Sequence, residues 1–447
     1  MDTPTQPLSS KLTKFLINRN FGLLWIGQTI SIVGDFFFDT TLVLWITIVL
    51  ARNQVWLPLA VSGVALAASV PSLLVGPLAG VFVDRWEKRH TMLWMDASRA
   101  ILVLLLLITT GLLPLPFGIN SYLPVAWRLG CIYVAVVLQT CCAQFFDPAR
   151  MTMIADIVPD TERARGMSMN TIAYNIGLLV APALAAPLFL SFGVVWAILI
   201  DALSFIISFG CILLIQVPQI THSVNQKGKS NYFREFVSGL HFFRENRVLI
   251  VLLVAGIFFN LGTGAFNALY LLFVLNDAHT PVELAGLFTS SYGVAVILGS
   301  MVAVVLAKRI GEGRLFWLAL MVWGILLLLF AHMTNFLAAL FLNCMLGFSN
   351  AGINVVVGPL LMRFTHREYM GRVSAIFSPV IQAAQFFSII VAGFLASTLL
   401  KGLHTSIYEV KVGPIDTIFT GAGLLAILAG TYASIALHGV DMNPHKT

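Results

Sequence analysis

The chain has 447 residues, of which 58% are hydrophobic and only 10% charged, with a formal net charge of +6. A soluble protein of this length needs a far larger charged shell, since ordinary globular chains carry about 25% charged residues. Soluble, disordered and coiled-coil classes are therefore excluded, and most of the surface is expected to face lipid. The basic excess lies in short clusters between long apolar runs, which points away from nucleic acid as a partner. The spacing carries no zinc, dinucleotide or P-loop signature, so neither a cofactor nor a metal is expected.

In chain order, twelve runs are long and apolar enough to cross a bilayer. The first six are 22–50, 57–83, 91–113, 127–146, 170–192 and 194–215. The second six are 248–275, 283–307, 315–331, 336–361, 373–400 and 415–437. The expected fold is thus an all-α membrane protein of twelve transmembrane helices in two six-helix bundles. With the N-terminus inside, 21 Lys and Arg residues fall in cytoplasmic segments and 4 outside, which predicts both termini cytoplasmic. The first twenty residues lack an apolar core, so no cleavable signal peptide is expected. The predicted organisation is an N-terminal bundle over 1–215, a linker over 216–247 and a C-terminal bundle over 248–447. Within the linker, Phe233, Phe236, Val237, Leu240 and Phe243 follow helical spacing and predict an interfacial amphipathic helix. The cysteines, Cys131, Cys141, Cys142, Cys211 and Cys344, sit in apolar runs and read as small buried hydrophobes.

Ionisable residues within spans are costly and are functional candidates. Gln28, Asp35 and Asp39 share one face of span 1, at i, i+7 and i+11. Two carboxylates one turn apart repel when both are ionised, which suits a group that loads and unloads a proton, so Asp35 and Asp39 are the proton-coupling candidates. Asp96 and Arg99 sit at i, i+3 on span 3, where the plain expectation is an ion pair on one helix. Asp201 lies in the outer half of span 6. In the second half Asn260 and Asn267 mark one face of span 7. Asn343, Asn350 and Asn354 mark one face of span 10, and Gln382 and Gln385 lie on span 11. No second-half span carries a mid-span carboxylate. Phe36 and other aromatics crowd the same spans, and a greasy cavity with few polar anchors suits a bulky amphipathic substrate.

The segment closing span 2, Gly80-Val-Phe-Val-Asp84-Arg85-Trp-Glu87-Lys88-Arg89, puts an acid at a helix C-terminus, where the dipole disfavours it. Such an acid needs a partner, and that contact can form in one conformation and break in another. This segment resembles the loop 2–3 motif G-x-L-a-D-r-x-G-r-k of the major facilitator superfamily, with Glu87 standing where the motif has glycine. Phe21-Gly-Leu-Leu-Trp25-Ile-Gly27-Gln28, Gly34-Asp35, Asp96 with Arg99, Phe146-Asp-Pro148-Ala149-Arg150 and Gly371-Arg372-Val373 resemble its macrolide-efflux and siderophore-exporter branch. The stretch Gly177-x3-Ala181-Pro182-x2-Ala185-Ala186 is similar to the span 5 antiporter motif, with three glycines replaced by alanine. The arginine that many family exporters carry within span 4 is missing from the predicted span.

The resemblance implies a proton-coupled antiporter in a bacterial plasma membrane. Its expected cargo is a lipophilic or amphipathic small molecule such as a macrolide, or alternatively a siderophore, lysophospholipid or other metabolite. Protons, a small-molecule substrate and membrane lipids are the expected partners, and a monomer the expected state. Gly80, Asp84, Arg85, Lys88 and Arg89, extended by Asp96 and Arg99, would form the conformational gate, with Asp84 latching against span 11 near Gly371 and Arg372. Gly177, Ala181 and Pro182 would form the hinge. Gln28, Phe36, Asn260, Asn267, Asn350, Asn354, Gln382 and Gln385 would line the substrate cavity.

Overall fold

The structure is a computed structural model. It describes residues 17–52, 54–83, 85–111, 124–216, 246–276, 280–365, 370–401, 405–407 and 410–438. The expected amphipathic helix of the linker and Asp84 fall outside the described residues, and so do the side chains of Gly371 and Arg372.

With no water in the bilayer core, every backbone polar group must be satisfied within its own segment, so apolar runs of this length become helices. Among the described residues, twelve helices are long and apolar enough to cross a membrane. Span 1 is α1 (Arg19–Trp45), continued by a π-helical turn over Ile46–Leu50. Span 2 is broken into α2 (Leu57–Leu74) and α3 (Gly76–Val83). The break falls at Val75, two residues before Pro77, which lacks the N–H that would donate to the Leu73 carbonyl. Spans 3 to 6 are α4 (Lys88–Leu105), α5 (Val125–Ile157), α6 (Arg163–Phe192) and α7 (Val194–Leu213). Spans 7 to 10 are α8 (Arg247–Asn276), α9 (Ala285–Ile310), α10 (Glu312–Ala331) and α11 (Phe336–Phe364). Spans 11 and 12 are α12 (Met370–Ser397) and α13 (Pro414–Ala436). Between them a short antiparallel hairpin pairs β1 (Thr405–Ile407) with β2 (Val410–Val412).

Packing divides the chain into two compact units. The first is Met1–Leu50 with Ala67–Val224, and the second is Ala51–Leu66 with Asn225–Thr447. In the first unit α1 packs on α6 and α7, and α4 on α5 and α7. In the second, α8 packs on α12 and α13, and α10 on α11 and α13. The pairing thus repeats six spans later.

Close approach rests on small residues, because lipid offers no hydrophobic drive between helices. A Cβ on Gly27 would come within 2.9 Å of Cys211 Cβ, and one on Gly34 would collide with Ser204. These two glycines, two turns apart, let α1 lie against α7. In the second unit a Cβ on Gly324 would come within 2.6 Å of the Gly423 carbonyl oxygen, which locks α10 to α13. Large apolar side chains remain exposed along the outer helix faces, among them Trp94, Trp127 and Ile435. An apolar exterior of this kind belongs in lipid. The cysteines are free, but they are not the buried residues expected: Cys131 is exposed and the other four are only partly covered.

Candidate functional site

The polar face of α1 faces the core of the first unit. Arg99 on α4 reaches across to Asp35, and its Nη2 donates to both carboxylate oxygens, at 2.9 and 2.8 Å. The guanidinium also lies over the Phe205 ring, 4.2 Å from its centroid, a cation–π contact that a dry site strengthens. The expected Asp96–Arg99 ion pair does not form. Asp96 turns the other way and accepts from the Ser208 hydroxyl at 2.6 Å. The reason is geometric: α7 packs on α4 and offers Ser208 to Asp96, while the long Arg99 side chain reaches Asp35 on α1, so each member of the pair finds its partner on another helix. Asp96 and Arg99 therefore belong to the buried core cluster, not to the cytoplasmic loop with which the gate reading grouped them.

Arg150 corrects a second expectation. Span 4 was expected to end at residue 146, with Arg150 in the cytoplasm. Instead α5 runs on through Pro148 to Ile157, and a proline inside a membrane helix is tolerated when its neighbours satisfy the freed carbonyl. The longer helix carries Arg150 into the unit, where it pairs with Asp147 at 2.9 Å and donates to Gln28 Oε1 at 3.4 Å. Gln28 Nε2 in turn donates to Ser208 at 2.9 Å. Arg150, Gln28, Ser208 and Asp96 thus form one hydrogen-bonded chain across α5, α1, α7 and α4. Span 4 does supply an arginine to this unit, about one turn later than the sequence boundary allowed.

These groups border a cavity of about 210 Å³ lined by Gln28, Ser31, Ile32, Asp35, Phe36, Asp39, Arg99, Ala143, Phe146, Asp147, Arg150, Asn170 and Tyr174. Phe36 and Tyr174 meet edge to face, 5.2 Å apart. Asp39 is exposed at this cavity. Asp201 lies behind the cavity, fully buried; Gln139 donates to its Oδ2 at 3.5 Å, and Oδ1 has no hydrogen-bond partner. The span 5 motif supports the wall. A Cβ on Gly177 would come within 2.6 Å of Ile32 and 2.9 Å of Phe36, so glycine lets α6 seat Phe36. Ala181 and Ala185 pack with Phe37 and Ala197 in the core, and Pro182 sits within the same helix.

The second unit holds a larger cavity, about 450 Å³, within the usual range of ligand sites. Asn260, Thr263, Asn267, Asn350, Asn354 and Gln385 border it, with Phe259, Phe266, Tyr292, Phe316 and Phe377. Five of the expected cavity residues converge here. Gln382 does not line this cavity and is exposed elsewhere on α12. Asn343 also leaves its stripe. It donates to the Phe288 carbonyl at 2.7 Å and Ser291 at 3.0 Å, and it accepts from Tyr270 at 3.0 Å. It ties α11 to α9 and α8.

At the loop after span 2, the described part is structural. Glu87 caps α4, accepting from the His90 amide at 3.0 Å and pairing with the His90 ring. That accounts for an acid where the motif has glycine. Arg89 donates to the carbonyls of Ile212 and Leu213, at 3.2 and 2.6 Å, and so closes the C-terminus of α7. Arg85 is exposed, Lys88 is partly covered, and Gly80 leaves open space where a Cβ would stand.

A sequence profile of the Major Facilitator Superfamily matches residues 24–275 and again 252–445. The chain belongs to that superfamily. Major facilitator relatives include an uncharacterized MFS-type transporter of Bacillus subtilis, YkuC, 24% identical over 94% of this chain and 93% of its own length. Macrolide efflux protein A of Streptococcus pyogenes is 21% identical, covering 85% of this chain and 90% of its own. Among solved structures, a bacterial homologue of the iron transporter ferroportin in an inward-facing state superposes with a TM-score of 0.69 at 14% identity. It covers 96% of this chain and 100% of its own, a likeness of fold. This major facilitator protein is accordingly a multi-pass transporter of the bacterial plasma membrane, resembling macrolide exporters.

Among the polar lining residues, Ser31, Asp147, Arg150, Asn170, Tyr174, Thr263 and Tyr292 are those that sequence reasoning missed as site residues. Asp147 and Arg150 were visible within the Phe146-Asp-Pro-Ala-Arg stretch. A proline there reads as a helix end, and only tertiary packing overrides that signal.

Proposed function

We propose that this protein exports lipophilic or amphipathic small molecules, macrolide-like drugs among them, by alternating access coupled to inward proton flow. The observation that carries the reading is the ion pair of Asp35 and Arg99, set at the edge of a cavity that also carries Asp39, Asp147 and Arg150. Charged groups this deep in a membrane protein are expensive, and where they persist they mark ion or substrate pathways. The neighbouring carboxyl of Asp39 supplies a second protonatable group one turn away. A proton entering down the membrane potential releases about 2.3 kcal/mol per 100 mV, enough to sustain a modest gradient of cargo. The aromatic and carboxamide lining of the second cavity favours a substrate with a large apolar body and a few neutral polar groups. The named activities of the macrolide-efflux and multidrug-resistance relatives support the same class of cargo.

The test is transport in proteoliposomes with an imposed pH gradient and erythromycin as cargo. Wild-type protein is expected to accumulate it against its gradient, with loss on adding a protonophore. Asp35→Asn is expected to lose that accumulation. Accumulation indifferent to the protonophore would remove protons from the mechanism.

A further inference from the structure

The cytoplasmic turn after span 8 carries charge that the rest of the unit leaves unused. Lys308 and Arg309 close α9, and Arg314 stands in the first turn of α10. All three are exposed, and among the described residues none takes part in a hydrogen bond or an ion pair. The acid of the turn, Glu312, lies 3.5 Å from Arg363 on α11 and so is matched elsewhere. After span 2, by contrast, Arg89 is bound to the last carbonyls of α7. The three free cations also stand on the lipid faces of their helices. On α9, Leu298, Met301 and Val305 are exposed at i, i+3 and i+7, and Lys308 and Arg309 continue that face. On α10, Arg314 heads a face that runs on through Leu318, Ile325 and Leu329, all exposed. α9 and α10 each pack on α11 more than on one another, so two apolar faces descend separately from one charged turn. The α9 face from Leu298 to Arg309 is about 16 Å long by helical rise. That is close to one leaflet of a hydrocarbon core about 30 Å thick.

We propose that this turn docks a single anionic diacyl phospholipid of the cytoplasmic leaflet. Lys308, Arg309 and Arg314 hold its phosphate, and its two acyl chains lie along the exposed faces of α9 and α10. Charge selects the headgroup. Basic clusters at the cytoplasmic surface attract anionic lipids, whereas a zwitterionic lipid brings an ammonium that three unpaired cations repel. Geometry selects a lipid over a soluble anion. Lys and Arg lay their methylene stems on apolar surface while their charged ends reach the headgroup level, and the planar arginine fork matches phosphate oxygens. A soluble anion would meet the charges but leave both apolar faces uncovered. Two chains below one phosphate match two faces below one turn. The bound lipid also braces the turn itself, which Gly311 makes in the left-handed region at φ 90°. The inference is independent of the cargo and of what drives its transport.

The test is lipid binding to the purified full-length protein in neutral detergent, with bound lipid counted by native mass spectrometry. The probes are dioleoyl phosphatidylglycerol and dioleoyl phosphatidylcholine, which share their chains and differ in net charge. Wild-type protein is expected to hold its first phosphatidylglycerol at least tenfold more tightly than phosphatidylcholine, about 1.4 kcal/mol. Combining Lys308→Gln, Arg309→Gln and Arg314→Gln should bring that ratio close to one, while Lys308→Arg, which keeps the charge, should preserve it. Arg163→Gln with Arg165→Gln removes two exposed cations from the cytoplasmic side of the first unit and should leave the ratio unchanged. Equal affinity of wild type for the two lipids overturns the site without needing any variant to fold. So does a tenfold preference that survives the triple variant. A preference lost as fully in the first-unit control would show diffuse surface charge in place of a site. Displacement of phosphatidylglycerol by millimolar inorganic phosphate would assign the cations to a soluble anion and end the lipid reading.

Discussion

The two units repeat one helix pairing but fill it with opposite chemistry. In the first, α1, α4 and α5 bring three carboxylates and two guanidiniums to a small cavity. In the second, α8, α11 and α12 bring carboxamides and aromatic rings to a cavity twice as large, with no charged residue on its lining. A fold that duplicates its framework need not duplicate its charges. Separating them leaves one half with ionisable groups at its cavity, while the other offers shape and neutral hydrogen bonds.

The largest effect expected from breaking that contrast comes from the first unit's ion pair. The Arg99 side chain is only 10% exposed and that of Asp35 27%. Removing either partner strands a charge, which costs about 3–5 kcal/mol when a buried pair is broken. Asp35→Asn and Arg99→Gln should each lower thermal stability in detergent sharply. The double variant should lose less than the two single losses combined, because neither charge is stranded. Simple additivity would mean that the two groups do not sense each other. The transplant sharpens the point: Asn260→Asp puts a lone carboxylate into the second cavity, and a measurable loss of stability is expected there too.

A middle-sized effect separates two asparagines of the second unit. Asn343 is fully buried and makes three hydrogen bonds, whereas Asn267 is exposed at the cavity. Truncating Asn343 to alanine leaves the Tyr270 hydroxyl without its acceptor and removes a donor from the Phe288 carbonyl, at about 1–2 kcal/mol. Asn267→Ala should move stability by no more than about 0.5 kcal/mol but should change the affinity for a neutral amphiphile. Thermal shift and ligand binding, measured on both, should fall on opposite variants. If Asn343→Ala alters binding more than melting, its assignment as a helix tie is wrong.

The helices and their number were legible because a bilayer reads composition directly: a run such as 248–275 can only be a span. The shared face of Gln28, Asp35 and Asp39 was legible for the same kind of reason, as helical period alone sets it. What period cannot say is which neighbour a side chain meets. Asp96 and Arg99 looked like a pair because only their own helix was visible. The glycines at 27 and 34, which admit α7, decide otherwise. Arg150 was hidden behind Pro148, a residue that breaks helices in water and is carried in membranes. The division among Asn343, Asn350 and Asn354 depends on which side of α11 meets α9, and nothing in their spacing records that.

The smallest effect concerns the loops that close the inner helix pairs, and it too compares the units. After span 2, Arg89 reaches the last carbonyls of α7. After span 8, the corresponding turn is made by Gly311 in the left-handed region, at φ 90°, and Glu312 lies 3.5 Å from Arg363 on α11. One loop ties itself by capping a helix, the other by a conformation only glycine adopts cheaply and an ion pair. Arg89→Ala removes two charge-assisted bonds from a partly exposed helix end, where cap and dipole together contribute about 0.3–1 kcal/mol. The expected outcome is a small drop in melting temperature, with hydrogen exchange quickened in the last turn of α7 and unchanged in α10 and α11. Gly311→Ala should produce the mirror image: a Cβ at positive φ, no change in α7, and faster exchange at the α9–α10 turn. Faster exchange in both units from either variant would mean that the loops act together, and the contrast between a capped loop and a glycine turn would then lose its meaning.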